Sequence, residues 1–188
     1  MNYNKHLLKI TKGKSTASRP VLQNVKIENG YMKATDSYRL LKVKGFDDTT
    51  NLVINLENYK VSDINYPETD RIIPINGLEL QLSNPITKDI FDVLKVNKKE
   101  VIIIKSNSGT LEFVNSKTNL LILKLEVDNS FDFEIYVNGS YLTDCFDFIK
   151  DYNKENHTKI NLRVLNSVKP FLFFTDDFSY LISPISTQ

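Results

Sequence analysis

Thr35-Asp36-Ser37-Tyr38-Arg39-Leu40-Leu41 sets three short oxygen-bearing side chains beside a cation flanked by apolar bulk. Such oxygens bond neighbouring backbone groups and favour turns. Taken locally, the stretch reads as a strand end carrying a snorkelling arginine. Groups with catalytic potential are scarce elsewhere. His6 and His157 lie in lysine- and asparagine-rich surroundings without the spacing of metal ligands. Asp176-Asp177 could offer paired carboxylates to a metal, but beside Phe178 and Tyr180 it reads as a turn between closing strands. There is no glycine-rich phosphate loop and no nucleophile motif. Phe146, Phe148 and Ile149 recur at helical spacing and are expected in a core. No catalytic residue, metal site or cofactor is expected.

The bulk properties narrow the class. A chain of 188 residues is long enough for one or two domains with real cores. Hydrophobic residues at 41% and charged residues at 25% are ordinary for a soluble globular protein. No apolar run approaches the roughly 20 residues that span a bilayer, and Met1-Asn2-Tyr3-Asn4-Lys5 lacks a signal-peptide pattern. The single Cys145 rules out an internal disulfide framework, so a cytoplasmic protein is expected. A net charge of +1 excludes holding nucleic acid by overall charge alone. The charge is nevertheless uneven, since Lys5, Lys9, Lys12 and Lys14 fall in the first fourteen residues without an acid among them.

These residues sit on a repeating pattern. Apolar Tyr3, Leu7, Leu8 and Ile10 predict a helix over about 3–11, with Gly13 as its stop. Strands are predicted at 21–27, 31–34 and 38–43, with Asn29-Gly30 as a hairpin turn. Further strands are expected at 52–56 and, short and irregular, before Asn65. The stretch 66–74 has a proline near each end and reads as an extended connector. A second helix is predicted from Pro85 to about 95, capped by Ser83 or Asn84, followed by strands at 101–104, 111–114 and 120–127. A strand at 133–137 and a turn at Asn138-Gly139-Ser140 lead to a helix over 141–152. Strands at 160–165, 170–175 and 180–185 close the chain. One helix followed by three strands thus recurs, and such self-similarity points to copies of one supersecondary unit.

Three separated motifs now resemble the bacterial DNA polymerase III beta subunit, the sliding clamp. Ala34-Thr35-Asp36-Ser37-Tyr38-Arg39-Leu40 is similar to that family's "ATDGHRL". Tyr66-Pro67-Glu68-Thr69-Asp70-Arg71-Ile72-Ile73-Pro74 is similar to "FPDYxRVIP", and Tyr180-Leu181-Ile182-Ser183-Pro184-Ile185 to "YLIMPMRL". Ile135 to Asp144 resembles the family's "FNxxYLxD". The resemblance implies an α+β sliding-clamp fold of repeated helix-plus-three-strand units with curved antiparallel sheets. It implies a non-enzymatic DNA replication processivity factor that receives a short linear peptide from polymerases and other replication proteins. It also implies weak, non-specific contact with duplex DNA and a homo-oligomer encircling it.

Carried over residue by residue, the peptide pocket would be Thr35, Ser37, Tyr38, Arg39 and Leu40, then Pro67, Arg71 and Ile72, then Leu181, Ser183, Pro184 and Ile185. Apolar side chains would take the peptide's leucine or phenylalanine, and the arginines and Thr35 its backbone. The alternative makes Leu40, Ile72 and Leu181 plain core residues. A core would exclude Arg39 and Arg71, whereas a pocket keeps them at its rim. Lys5, Lys9, Lys12, Lys88, Lys95 and Lys98 on the first two helices are the expected DNA-facing residues. Ser183 stands where the family has methionine, and Ser186-Thr187-Gln188 replaces its arginine-leucine end, which implies a shallower pocket with altered peptide preference. Residues 1–75 resemble part of the family's middle domain and 80–188 its complete C-terminal domain. The family's first domain has no counterpart, so a non-encircling adaptor or decoy for clamp-binding proteins is the alternative function. The Asn-, Lys- and Ile-rich composition suggests a phage or mobile-element gene.

Overall fold

The computed structural model describes residues 2–128 and 131–186; Met1, Thr187 and Gln188, named above, lie outside them. The chain forms two compact units, one of residues 2–73 with 176–181, the other of residues 74–175 with 182 onward.

In the first unit, helix α1 (Asn4–Thr11) buries His6, Leu7, Ile10 and Thr11, the stripe that a 3.6-residue period selects. Then come β1 (Val25–Glu28), β2 (Tyr31–Thr35), β3 (Arg39–Lys44), β4 (Leu52–Asn55) and β5 (Lys60–Ser62). Their order is β5-β4-β1-β2-β3, and β3 neighbours β13 (Phe178–Ile182). Asn29 and Gly30 both have positive φ, 50° and 78°, as the twisted two-residue turn between β1 and β2 requires. The predicted strand over 21–27 starts later than expected. Pro20 opens a 3₁₀ turn (Pro20–Gln23), and the Asn24 amide closes it by donating to the Pro20 carbonyl at 2.8 Å.

The second unit holds β6 (Leu78–Gln81), α2 (Lys88–Val96), β7 (Val101–Asn107), β8 (Thr110–Asn115), β9 (Leu121–Glu126), β10 (Phe133–Asn138), α3 (Gly139–Asn156), β11 (Asn161–Val164) and β12 (Phe171–Phe174). Four strands pair in the order β10-β7-β8-β9, and β11 pairs with both β12 and β6. These strands pair antiparallel with their neighbours within each unit. Helix α2 begins three residues after Pro85, because extended Thr87 is its N-cap and accepts from the Ile90 N–H at 3.4 Å. The expected cap at Ser83 or Asn84 is therefore replaced. The turn predicted at 138–140 is a helix start, with Asn138 accepting from Ser140 N–H at 2.9 Å. Gly139 is needed there, since a Cβ would meet the carbonyl oxygens of Glu100 at 2.6 Å and Asn97 at 2.8 Å. Helix α3 runs on to Asn156 and ends at left-handed His157. Its Phe146 ring packs edge-on against Phe113 and Phe173, at 5.6 and 5.5 Å between centroids.

The predicted order of one helix and three strands is present as α1 with β1–β3, α2 with β7–β9 and α3 with β11–β13. Asp176 and Asp177 form the bend before β13, where the Asp177 carbonyl accepts from Lys44 N–H at 2.8 Å. No helix among the described residues is long and apolar enough to cross a membrane.

Candidate functional site

The loop between β2 and β3 is built by its own oxygens. The Thr35 hydroxyl donates to the Arg39 carbonyl at 2.7 Å and accepts from Ser37 N–H at 3.2 Å. One Asp36 carboxylate oxygen accepts from the N–H groups of Tyr38 and Arg39, both at 3.0 Å. The other meets Arg39 Nε at 3.0 Å. Arg39 Nη2 also donates to the Lys9 carbonyl on α1 at 3.0 Å. Ser37 has φ of 79°, a left-handed conformation costly to a residue with a Cβ and sustained here by these bonds. Arg19 donates to the Ser37 hydroxyl.

Burial sorts the motif. Thr35, Asp36, Arg39 and Leu40 are interior, while Ser37 and Tyr38 face solvent, Tyr38 with half its surface exposed. Arg39 was expected at a rim and is only 5% exposed, because Asp36 supplies its counter-charge and the Lys9 carbonyl a further acceptor. Leu181 is buried as well.

The second motif runs along the sheet of the same unit as a strap over 63–73. Tyr66 is buried, and its hydroxyl accepts from the Thr35 N–H at 3.2 Å, joining two motifs 31 positions apart. That burial pushes the Tyr66 phenol well above the ordinary tyrosine value. A 3₁₀ turn (Asp70–Ile72) follows, fixed by ion pairs. Lys33 Nζ lies 2.7 Å from Asp70 Oδ2 and 2.9 Å from Glu28 Oε1, and Lys42 Nζ lies 3.1 Å from Asp70 Oδ1. Pro67, Arg71 and Ile72 face solvent.

Burial works against the Lys33 charge, but Asp70 and Glu28 outweigh it and lift its pKa above the ordinary lysine value. Burial likewise opposes the Asp70 charge, and Lys33 with Lys42 outweigh it, holding its carboxyl below the ordinary aspartate value. A depressed carboxyl stabilises the fold above its unfolded pKa of about 4, and that contribution is lost as pH falls through the lower folded value. Asp70→Asn removes this component. Between pH 6 and pH 3 the urea midpoint of the variant is expected to fall less than that of the unaltered protein; an equal fall would contradict the assignment.

Ser183, Pro184 and Ile185 belong to the other unit. The first two are half-buried, Ile185 is exposed, and its N–H donates to the Tyr136 carbonyl at 2.7 Å. The lysines Lys5, Lys9, Lys12, Lys88, Lys95 and Lys98 are all exposed. Lys12 lies 3.1 Å from Glu57 and Lys88 2.7 Å from Asp92. Sequence reasoning did not single out Arg19, Lys33 or the Tyr66 hydroxyl.

The sliding clamp of Bacillus subtilis superposes with a TM-score of 0.75 over 98% of this chain, at 18% identity. The fold is the sliding-clamp fold. A Pseudomonas aeruginosa sliding clamp solved with a ligand matches over 98% of the chain with a TM-score of 0.73 and 14% identity. The Bartonella birtlesii sliding clamp bound to griselimycin covers 97%, with a TM-score of 0.69 and 18% identity. The chain spans 62%, 64% and 64% of those three clamps. No protein-family model matches it, and no curated protein matches it in sequence.

Proposed function

We propose that this chain is a sliding-clamp-like DNA replication processivity factor that captures a short linear motif of a polymerase or another replication protein. The observation carrying this reading is the bond from Thr35 N–H to the Tyr66 hydroxyl. It joins two clamp-like motifs in one unit, with Tyr38, Pro67, Arg71 and Ile72 on the solvent side. Tyr38, Pro67 and Ile72 supply apolar anchors, and the Arg71 guanidinium supplies donors for peptide carbonyls. Thr35, Arg39, Leu40 and Leu181 support this surface from the interior.

Residues 1–75 correspond in this reading to part of a clamp's middle domain and 80–188 to its C-terminal domain. The exposed lysines would meet DNA phosphates, which position a protein without reading sequence. A homo-oligomer in the cytoplasm would encircle the duplex. The fold shared with solved clamps supports these assignments.

The experiment is titration of a labelled glutamine-leucine-x-leucine-phenylalanine peptide. Saturable micromolar binding, about 8 kcal/mol, is expected. Tyr38→Ala and Ile72→Ala should each weaken it by about 1–2 kcal/mol, or roughly tenfold. Absence of saturable binding to the unaltered protein would contradict the reading.

A further inference from the structure

Strand register in the first unit sets Lys26 opposite Lys33 and Lys33 opposite Lys42, so three lysines stand side by side across β1, β2 and β3. Like charges directly opposite one another in a sheet destabilise it. Two acids offset the row: Glu28 from the sheet itself and Asp70 from the strap. Asp70 uses one oxygen on each of two lysines, Lys33 and Lys42. Lys33 is 2% exposed, so a departing strap would leave a buried ammonium with Glu28 as its remaining carboxylate partner. Nearer β5 the strap does not lie flush. A depression of about 550 Å³, lined by Lys26, Glu28, Val53, Ser62, Asn65 and Pro67 among others, opens beside it. Beyond its first residues the strap is joined to the sheet by hydrogen bonds at Tyr66 and Asp70.

We infer that Asp70 is a positioning residue for peptide capture: by binding Lys33 and Lys42 together it fixes the 3₁₀ turn that turns Arg71 and Ile72 outward. This rests on the peptide-binding reading above. Asp70 itself need not touch the peptide. Its two lysines set the height and rotation of the turn, and the next two residues carry the contact. The Lys33 bond dominates, because a hydrogen bond between charged groups away from water is worth more than the Lys42 pair nearer the surface.

The test uses the full chain and its Asp70→Asn, Asp70→Glu and Lys42→Met variants. Affinity for the labelled glutamine-leucine-x-leucine-phenylalanine peptide is measured alongside amide hydrogen exchange. Asp70→Asn should weaken the peptide about tenfold, the order expected for losing a charge-assisted hydrogen bond. It should also speed exchange over 66–72 by more than across β1–β3. Asp70→Glu should recover much of the affinity, and Lys42→Met should change it about twofold. Unaltered peptide affinity in Asp70→Asn overturns the inference. So does a loss of affinity with equal acceleration across β1–β3, which marks a general structural role. If the unaltered protein does not bind the peptide, the functional reading fails by itself. Exchange then judges the fastening: unchanged rates over 66–72 in Asp70→Asn overturn it too.

Discussion

Arg39→Leu is expected to destabilise the first unit by about 3–5 kcal/mol, the cost of breaking a buried ion pair from one side. Asp36 and Arg39 are 1% and 5% exposed, with Arg39 Nε 3.0 Å from Asp36 Oδ2. Removing the guanidinium leaves a carboxylate in the interior and frees the Lys9 carbonyl that it had bonded. Leucine fills much of the volume but supplies no donor. The double variant Asp36→Asn/Arg39→Leu should lose less than the sum of the single changes, because residues sharing one network do not act additively. Urea unfolding followed by circular dichroism at several wavelengths measures this. A single variant as stable as the unaltered protein would show that the pair contributes nothing. This outcome also separates two roles for Arg39, since a residue that only touched peptide would change affinity and leave stability alone.

The second large effect divides the proposed wall into support and contact. Leu40 and Leu181 are essentially buried, at 0% and 1% exposure, so alanine at either position removes core packing. Each should cost about 2–5 kcal/mol of stability. Ile72 is 48% exposed, and Ile72→Ala should stay within about 0.5 kcal/mol in stability while weakening the peptide roughly tenfold. Binding tests therefore belong on Ile72 and Tyr38, where a lost contact is not confounded with a loosened fold. Unchanged midpoints for Leu40→Ala would contradict its place in the core. Equal peptide affinity for Ile72→Ala would remove it from the site.

What the sequence made legible was local. Asn29-Gly30 demands a tight turn through its backbone freedom, and the flanking alternation fixes the strands around it. The period of Leu7 and Ile10 fixes the buried face of α1. Boundaries failed where two local signals competed. Pro85 suggested a first helical residue, yet Thr87 has the extended backbone and the oxygen that make the cap. Pro20 turned the start of a strand-like run into a 3₁₀ turn.

Charged interiors were illegible for a different reason. Lys33 sits in an apolar-polar alternation that reads as a solvent-facing lysine, and its partner Asp70 lies 37 positions away. Arg39 likewise depends on a carbonyl 30 positions away on α1. Burial of a charge is decided by partners that only the tertiary fold delivers. The motifs at Thr35 and Tyr66 meet in one unit, but their residue types alone did not show which members face outward.

Tyr38, Pro67, Arg71 and Ile72 are proposed to present a peptide-binding surface. Its most direct test is nuclear magnetic resonance mapping of the isotope-labelled chain at saturating glutamine-leucine-x-leucine-phenylalanine peptide. The largest amide shifts are expected at residues 37–39 and 68–73, with little change along β7–β9. Saturable binding whose shifts fall elsewhere, leaving 37–39 and 68–73 unmoved, would contradict this surface.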